Sequence, residues 1–202
     1  MIINNFELIK KLLTFESEND FYFLQILQRK KDHPEGTIVG SNNSSRLIKS
    51  YNIFSIEQLE KYQKEIILTC DLFQARAGIN LNKRNSRTLA LKMIPDIVRY
   101  IECNHTNAMQ GLWNEVCGQY NQATDKRWII DIDGQKTYEE IFQIEDTINS
   151  TSPESKNTIC HIPSRNGLHL ITRPFDLREF RIRYSDIDIQ KNNPTNLYIP
   201  EF

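Results

Sequence analysis

The residue types that do chemistry gather toward the C-terminal end of this chain. "RWIIDIDGQ", residues 127–135, sets Asp131 and Asp133 into an otherwise apolar run. In a strand, residues two apart project to the same face. The two carboxylates therefore stand side by side, while Ile130 and Ile132 turn to the opposite face and a core. Carboxylates so placed repel each other, and one titrates upward. A hard divalent cation, Mg²⁺ or Mn²⁺, relieves the repulsion because it takes oxygen ligands. The bland alternative is a strand end at which both aspartates face solvent or pair with arginine.

Two further segments bear on that choice. "HIPSRNGLHLIT" carries a turn, Ser164, Arg165, Asn166 and Gly167, followed by a strand holding His169. Such a turn offers donors to a phosphate, and an imidazole can donate to a phosphate oxygen. His169 taken alone also reads as a hydrogen-bonded histidine on a half-buried strand. "SDIDIQ" alternates Asp186 and Asp188 with Ile187 and Ile189. One of these aspartates on a neighbouring strand supplies a third carboxylate, Asp188 first and Asp186 if the strand phase slips. Three carboxylates on adjacent strands suit ions that bridge a triphosphate and an attacking hydroxyl.

Together "IIDID", "PSRNGLHLI" and "IDIQ" with "LYIP" resemble the archaeo-eukaryotic primase superfamily, in particular its primase-polymerase branch. The second motif is similar to that family's Pro-Ser-Gly-Gly-x-His pattern, with Arg165 and Asn166 at positions where small residues are usual. The resemblance covers residues 127–200. It implies an RRM-like catalytic core beside an N-terminal α/β module. It also implies Asp131, Asp133 and Asp188 as metal ligands and catalytic residues, with His169 on the nucleotide phosphates. Mg²⁺ or Mn²⁺ would be the cofactor, NTP or dNTP the substrate, and single-stranded or primed DNA the partner, with a helicase or other replication proteins acting in trans. The reaction implied is nucleotidyl transfer in DNA replication or repair. Two other classes fit the same residues: a non-catalytic nucleic-acid-binding replication accessory protein, and a metal-dependent nuclease.

The elements that must hold these residues are legible in part. Residues 5–14 read as a short amphipathic helix and "DFYFLQILQRKK" as a strand. "DHPEGTIVGSNNSS" reads as a loop. "SIEQLEKYQKEIILTCDLF" opens on Ser55 with Gln58 three residues on, a helix start. "RAGINLNKR" is a strand, "SRTLALKMIPDIVRYIE" a helix disturbed near Pro95, and "NAMQGLWNEVCGQYN" a weaker helix. From residue 127 the order is strand, helix ("TYEEIFQIEDTIN", with Tyr138, Ile141, Phe142 and Ile148 on one face), and two strands. "PFDLREFRIRY" is helical or irregular, and a final hairpin turns around "KNNP". The class is α+β, a mostly antiparallel sheet with flanking helices. The resemblance implies an N-terminal α/β module over residues 1–120 and a catalytic core over residues 121–202, and one continuous domain is the alternative.

The chain has 202 residues, a net charge of −1, 39% hydrophobic and 10% aromatic residues. That balance excludes a polycation, so nucleic acid must meet a local patch. The best such patch holds Arg76, Lys83, Arg84 and Arg87, continuing to Lys92 and Arg99. A second set is Arg173, Arg178, Arg181 and Arg183. The scattered cysteines match no common zinc spacing and read as reduced thiols. No signal-peptide pattern and no apolar run of ~20 residues occurs. The expectation is a cytoplasmic protein without membrane contact.

Overall fold

The computed structural model describes residues 1–33, 45–120, 123–134, 136–151 and 157–201. The loop expected at 32–45 therefore lies largely outside the described residues. In chain order the elements are β1 (Ile3–Asn4), α1 (Phe6–Lys10), β2 (Asp20–Arg29), β3 (Ser45–Ile53), α2 (Ile56–Phe73), β4 (Arg76–Ile79), β5 (Arg84–Asn85), α3 (Ser86–Glu102) and α4 (Met109–Gln119). There follow β6 (Trp128–Asp133), α5 (Tyr138–Ser150), β7 (Thr158–Pro163), β8 (Gly167–Thr172), α6 (Leu177–Arg183), β9 (Asp188–Gln190) and β10 (Thr195–Ile199). They build two sheets, and every strand pairing is antiparallel. The protein is α+β, as its sequence pattern implies.

The first sheet runs β1-β10-β4-β2-β3, with β5 paired to the start of β2. Tyr22, Leu24 and Ile26 of β2 face a core with Phe6 and Ile9 of α1 and Leu59, Ile66 and Cys70 of α2. Phe21 and Phe23, on the other face, pack with Leu89 of α3 and Cys117 of α4. Local signals start the helices. Ser55 Oγ accepts the Gln58 N–H at 3.2 Å, and the Gln58 side chain accepts the Phe54 N–H at 2.7 Å. Thr137 and Glu140 form a reciprocal capping box at the start of α5, which ties down donors with no partner inside the helix.

The second sheet runs β7-β8-β6-β9. With α5 between β6 and β7 and α6 between β8 and β9, it is a β-α-β-β-α-β unit of ferredoxin-like connectivity. Ile130, Ile132 and Leu170 pack against Ile144 and Ile148 of α5 and Phe180 of α6. The opposite face is divided. Its apolar part, Ile129, Ile162 and Ile171, joins the core of the first sheet, and its polar part carries the aspartates.

Several sequence expectations are corrected. There is no final hairpin: β9 pairs with β6, whereas β10 crosses to the first sheet and inserts between β1 and β4. "TNLYI" is buried on both faces, which an interior position satisfies and a terminal hairpin does not. On α5, Ile144, Thr147 and Ile148 are buried, while Tyr138 and Phe142 are 94% and 66% exposed. The inward face thus lies to one side of the one predicted. Pro95 does not interrupt α3. It sits on an exposed side of the helix with Leu91, where water can satisfy the carbonyl freed four residues back. The strand β3 had no sequence assignment, because its first half is mostly exposed and hides the alternation.

Candidate functional site

Strand register decides how the candidate residues meet. Asp131 of β6 lies directly opposite His169 of β8 on one side and opposite Asp188 of β9 on the other. Cross-strand partners share a face, with Cβ atoms about 5 Å apart. Asp188, Asp131 and His169 therefore form one row, and Asp133 follows on the same face, opposite Gly167. Asp186 lies in the turn before β9 rather than in the strand, so Asp188 is the aspartate in phase.

The row is cross-linked. Gln190 Nε2 donates to Asp131 Oδ2 at 3.1 Å and to Asp188 Oδ2 at 2.9 Å. One amide thus sits between two carboxylates. His169 Nε2 lies 3.4 Å from Asp131 Oδ1 and 3.3 Å from Asn196 Nδ2, and His169 Nδ1 lies 2.9 Å from Thr195 Oγ1. Two neutral tautomers fit. Either Nδ1–H donates to Thr195 and Nε2 accepts from Asn196, or Nε2–H faces Asp131 and Nδ1 accepts the Thr195 hydroxyl. Burial lowers the His169 pKa below its usual value, although Asp131 and Asp133 pull the other way. The ring is a buried, hydrogen-bonded histidine at the edge of the acidic row, and it ties the second sheet to β10 of the first.

The "SRNG" turn closes over the same end. Ser164 N–H donates to the Gly167 carbonyl at 3.0 Å, and Gly134 N–H donates to the Asn166 carbonyl at 2.8 Å. Gly134 adopts φ +84°, which a side chain would resist, and this lets the chain leaving β6 reach the turn. The Ser164 N–H is thus engaged within the turn, and Ser164, Arg165 and Asn166 line the cavity.

Asp131, Asp133 and the turn open into one cavity of about 920 Å³ between the sheets, whereas Asp188 does not line it. Asp131, Asp133, His169, Gln190 and residues 164–166 form one wall. Arg29, Lys30, Asp32 and Arg76, from the ends of β2 and β4, line the other, with Asn196 of β10. Arg76 pairs with Asp32. Burial lowers the Arg76 pKa, Asp32 opposes that, and the nearby Arg29 and Arg165 lower it further. Arginines crowded this way favour an anion of several charges. Arg29 and Lys30 are the residues the sequence reading missed. Their only signal was a basic end, "QRKK", on a strand otherwise read for its apolar residues.

The predicted basic patch does not form a single surface. Arg76 belongs to the cavity. Lys83 pairs with Glu16 and Asp20. Arg87 is exposed at the start of α3. Arg84 is 1% exposed; its Nε and Nη2 donate to the Cys117 carbonyl at 3.0 and 2.8 Å, and its Nη1 donates to the Asn82 carbonyl. Arg84 is thus an internal strut and is corrected as a nucleic-acid contact. It cannot reach a ligand because the α4 carbonyl that holds it lies inside the fold.

For Mg²⁺ or Mn²⁺ the donor chemistry fits, since Asp131, Asp133 and Asp188 offer only oxygens from one face of one sheet. Among the described residues, no three His, Cys, Asp or Glu side chains are already drawn together as a metal cluster. The Gln190 amide between Asp131 and Asp188 accounts for part of that, because it satisfies both carboxylates with one donor. No described helix is long and apolar enough to cross a membrane. No family model, curated protein or solved structure matches this chain.

Proposed function

We propose that this chain is a metal-dependent nucleotidyltransferase of primase-polymerase type. It would use NTP or dNTP to extend a nucleic-acid 3′-hydroxyl in replication or repair, in the cytoplasm and with a helicase or similar partner in trans. One observation carries the reading: Asp131, Asp133 and His169 line a cavity whose opposite wall holds Arg29, Lys30 and Arg76, and Asp188 stands beside Asp131 on the neighbouring strand. A triphosphate needs both ends of that arrangement, carboxylates to hold its metal and cations to hold its phosphate oxygens.

Asp131, Asp133 and Asp188 would hold Mg²⁺ or Mn²⁺. When bound, the metal would supply Lewis acidity at the α-phosphate and lower the pKa of the attacking hydroxyl. Arg76, Arg29 and Arg165 offset the charge of the phosphates, and Ser164 and Asn166 offer side-chain hydrogen bonds at the turn. In the tautomer that turns Nε2–H toward Asp131, His169 orients that carboxylate through the 3.4 Å approach. Positioning and charge stabilisation dominate this chemistry, and each role here is of that kind.

The test pairs binding with folding. Wild type is expected to bind a fluorescent nucleotide in the presence of Mn²⁺ and to extend a primer. The variant Asp131→Asn/Asp133→Asn is expected to lose both, yet to melt in EDTA no lower than wild type, because two neighbouring like charges are removed. A wild type that binds neither Mn²⁺ nor nucleotide sinks the proposal. Cleavage of single-stranded DNA without nucleotide assigns the same carboxylates to hydrolysis instead.

A further inference from the structure

Helix α3 turns its apolar side away from the protein. Its buried residue is Leu89. Leu91, Ile94, Val98 and Ile101 are 61%, 51%, 47% and 56% exposed. Their spacing of three, four and three residues places them in one stripe, as in the seam of a paired helix. An amphipathic helix of a lone globular chain faces the other way, and a continuous exposed apolar stripe marks an interaction surface.

The charges around the stripe identify what covers it. Arg87 lies on the line of the stripe one turn before Leu91, and Glu102 lies just past Ile101. Among the described residues neither makes an ion pair within the chain, whereas Asp96 and Arg99 pair with each other. Turning a second α3 antiparallel about a point between Ile94 and Pro95 sets Leu91 of each copy against Val98 of the other. The same operation sets Arg87 of each copy against Glu102 of the other. The stripe therefore meets itself with apolar side chains at its centre and opposite charges at its ends, as an isologous two-fold contact requires. A lipid surface would want cations along the whole stripe, and Glu102 and Asp96 interrupt that.

We propose that two copies of this chain associate through antiparallel α3 helices, with the Leu91–Val98 contacts at the centre and Arg87–Glu102 pairs at the ends. The inference is independent of the nucleotide reading, since α3 contributes nothing to the cavity between the sheets. A single helix pair is small beside the specific interfaces of stable complexes, about 1,600 Å², so the measurement is carried to high protein concentration.

Sedimentation equilibrium of the full chain tests this. Wild type is expected to shift from monomer to dimer as its concentration rises to ~200 µM. Ile94→Asp/Val98→Asp is expected to remain monomeric while melting like wild type at low concentration, because both side chains are exposed. Arg87→Glu is expected to weaken association by about fivefold to tenfold, and adding Glu102→Arg to restore it. The proposal is overturned by a wild type that stays monomeric, by a dimer that persists in Ile94→Asp/Val98→Asp, or by charge reversal that the second reversal does not rescue. A monomer that instead cosediments through this stripe with vesicles of phosphatidylcholine and phosphatidylserine also overturns it.

Discussion

Gly167 makes the closest approach in the candidate site, and replacing it with alanine tests whether the site is built as described. It pairs with Asp133 across β6 and β8. An added Cβ would land on the Ile132 carbonyl oxygen, 3.1 Å from the carbonyl carbon and 3.3 Å from Asp133 Cα. All three are backbone atoms of the central strand, so no side chain can swing aside. Relief requires prising β8 from β6 at this rung, which also strains the Gly134–Asn166 and Ser164–Gly167 backbone bonds of 2.8 and 3.0 Å. Overpacking against a rigid wall together with one or two weakened hydrogen bonds costs about 2–4 kcal/mol. For a chain of this length that is a fall in Tm of roughly 4–16 °C. Gly111→Ala, in α4, is the control, because nothing lies within 4 Å of its added Cβ. It should gain about 0.5–1 kcal/mol from helix propensity alone. Urea denaturation followed by tryptophan fluorescence measures both, with Trp128 on β6 as a reporter in the affected sheet. If Gly167→Ala costs less than about 1 kcal/mol, β8 does not lie against β6 in this register, and the Asp188–Asp131–His169 row fails with it.

Two further predictions concern the frame around the site. Arg84→Ala should destabilise by about 3 kcal/mol, because it empties a buried volume and leaves the Cys117 and Asn82 carbonyls without their donor. The folded fraction should bind nucleic acid as wild type does, and an unchanged melt with weaker binding would return Arg84 to the surface. Asp20 accepts the Glu16 and Ser17 N–H groups at 3.0 and 3.1 Å and faces Lys83 at 3.2 Å. Burial alone would raise its pKa, but the Glu16 N–H and the Lys83 ammonium more than offset that and hold it below 3.8. A depressed carboxylate stabilises the fold fully above its unfolded pKa and loses that contribution as pH falls through the folded one. Asp20→Asn should therefore cost about 1–2 kcal/mol at pH 7, and its melts should fall less steeply than those of wild type between roughly pH 5 and pH 2. Parallel acid limbs in the two proteins would refute the assignment.

Much of this follows from local rules. The alternation of "IIDID" was enough to place Asp131 and Asp133 on one face and Ile130 and Ile132 on the other, because a strand has a period of two whatever it pairs with. Ser55 with Gln58 was enough to start α2, since a cap is satisfied within four residues. Alternating strands and helices gave the α+β class. The inward face of α5 departs from the expected one because Tyr138 and Phe142 also carry large apolar surfaces, and helical spacing alone does not say which such residues meet the sheet.

What only the tertiary structure decided is the assembly of the site. Periodicity assigns a residue to a face but does not say which strand lies beside it or in what register, and a slip of one residue turns a whole side-chain set over. Pairing of β9 with β6 puts Asp188 beside Asp131 on one side, and pairing of β8 with β6 puts His169 beside it on the other. The departure of β10 to the first sheet brings Thr195 and Asn196 to the His169 ring. The same long-range contacts bury Arg84 and bring Arg29 and Arg76 to face the carboxylates across a cavity. These depend on which distant apolar faces cover one another, a free-energy balance over the whole chain that no single stretch of sequence contains.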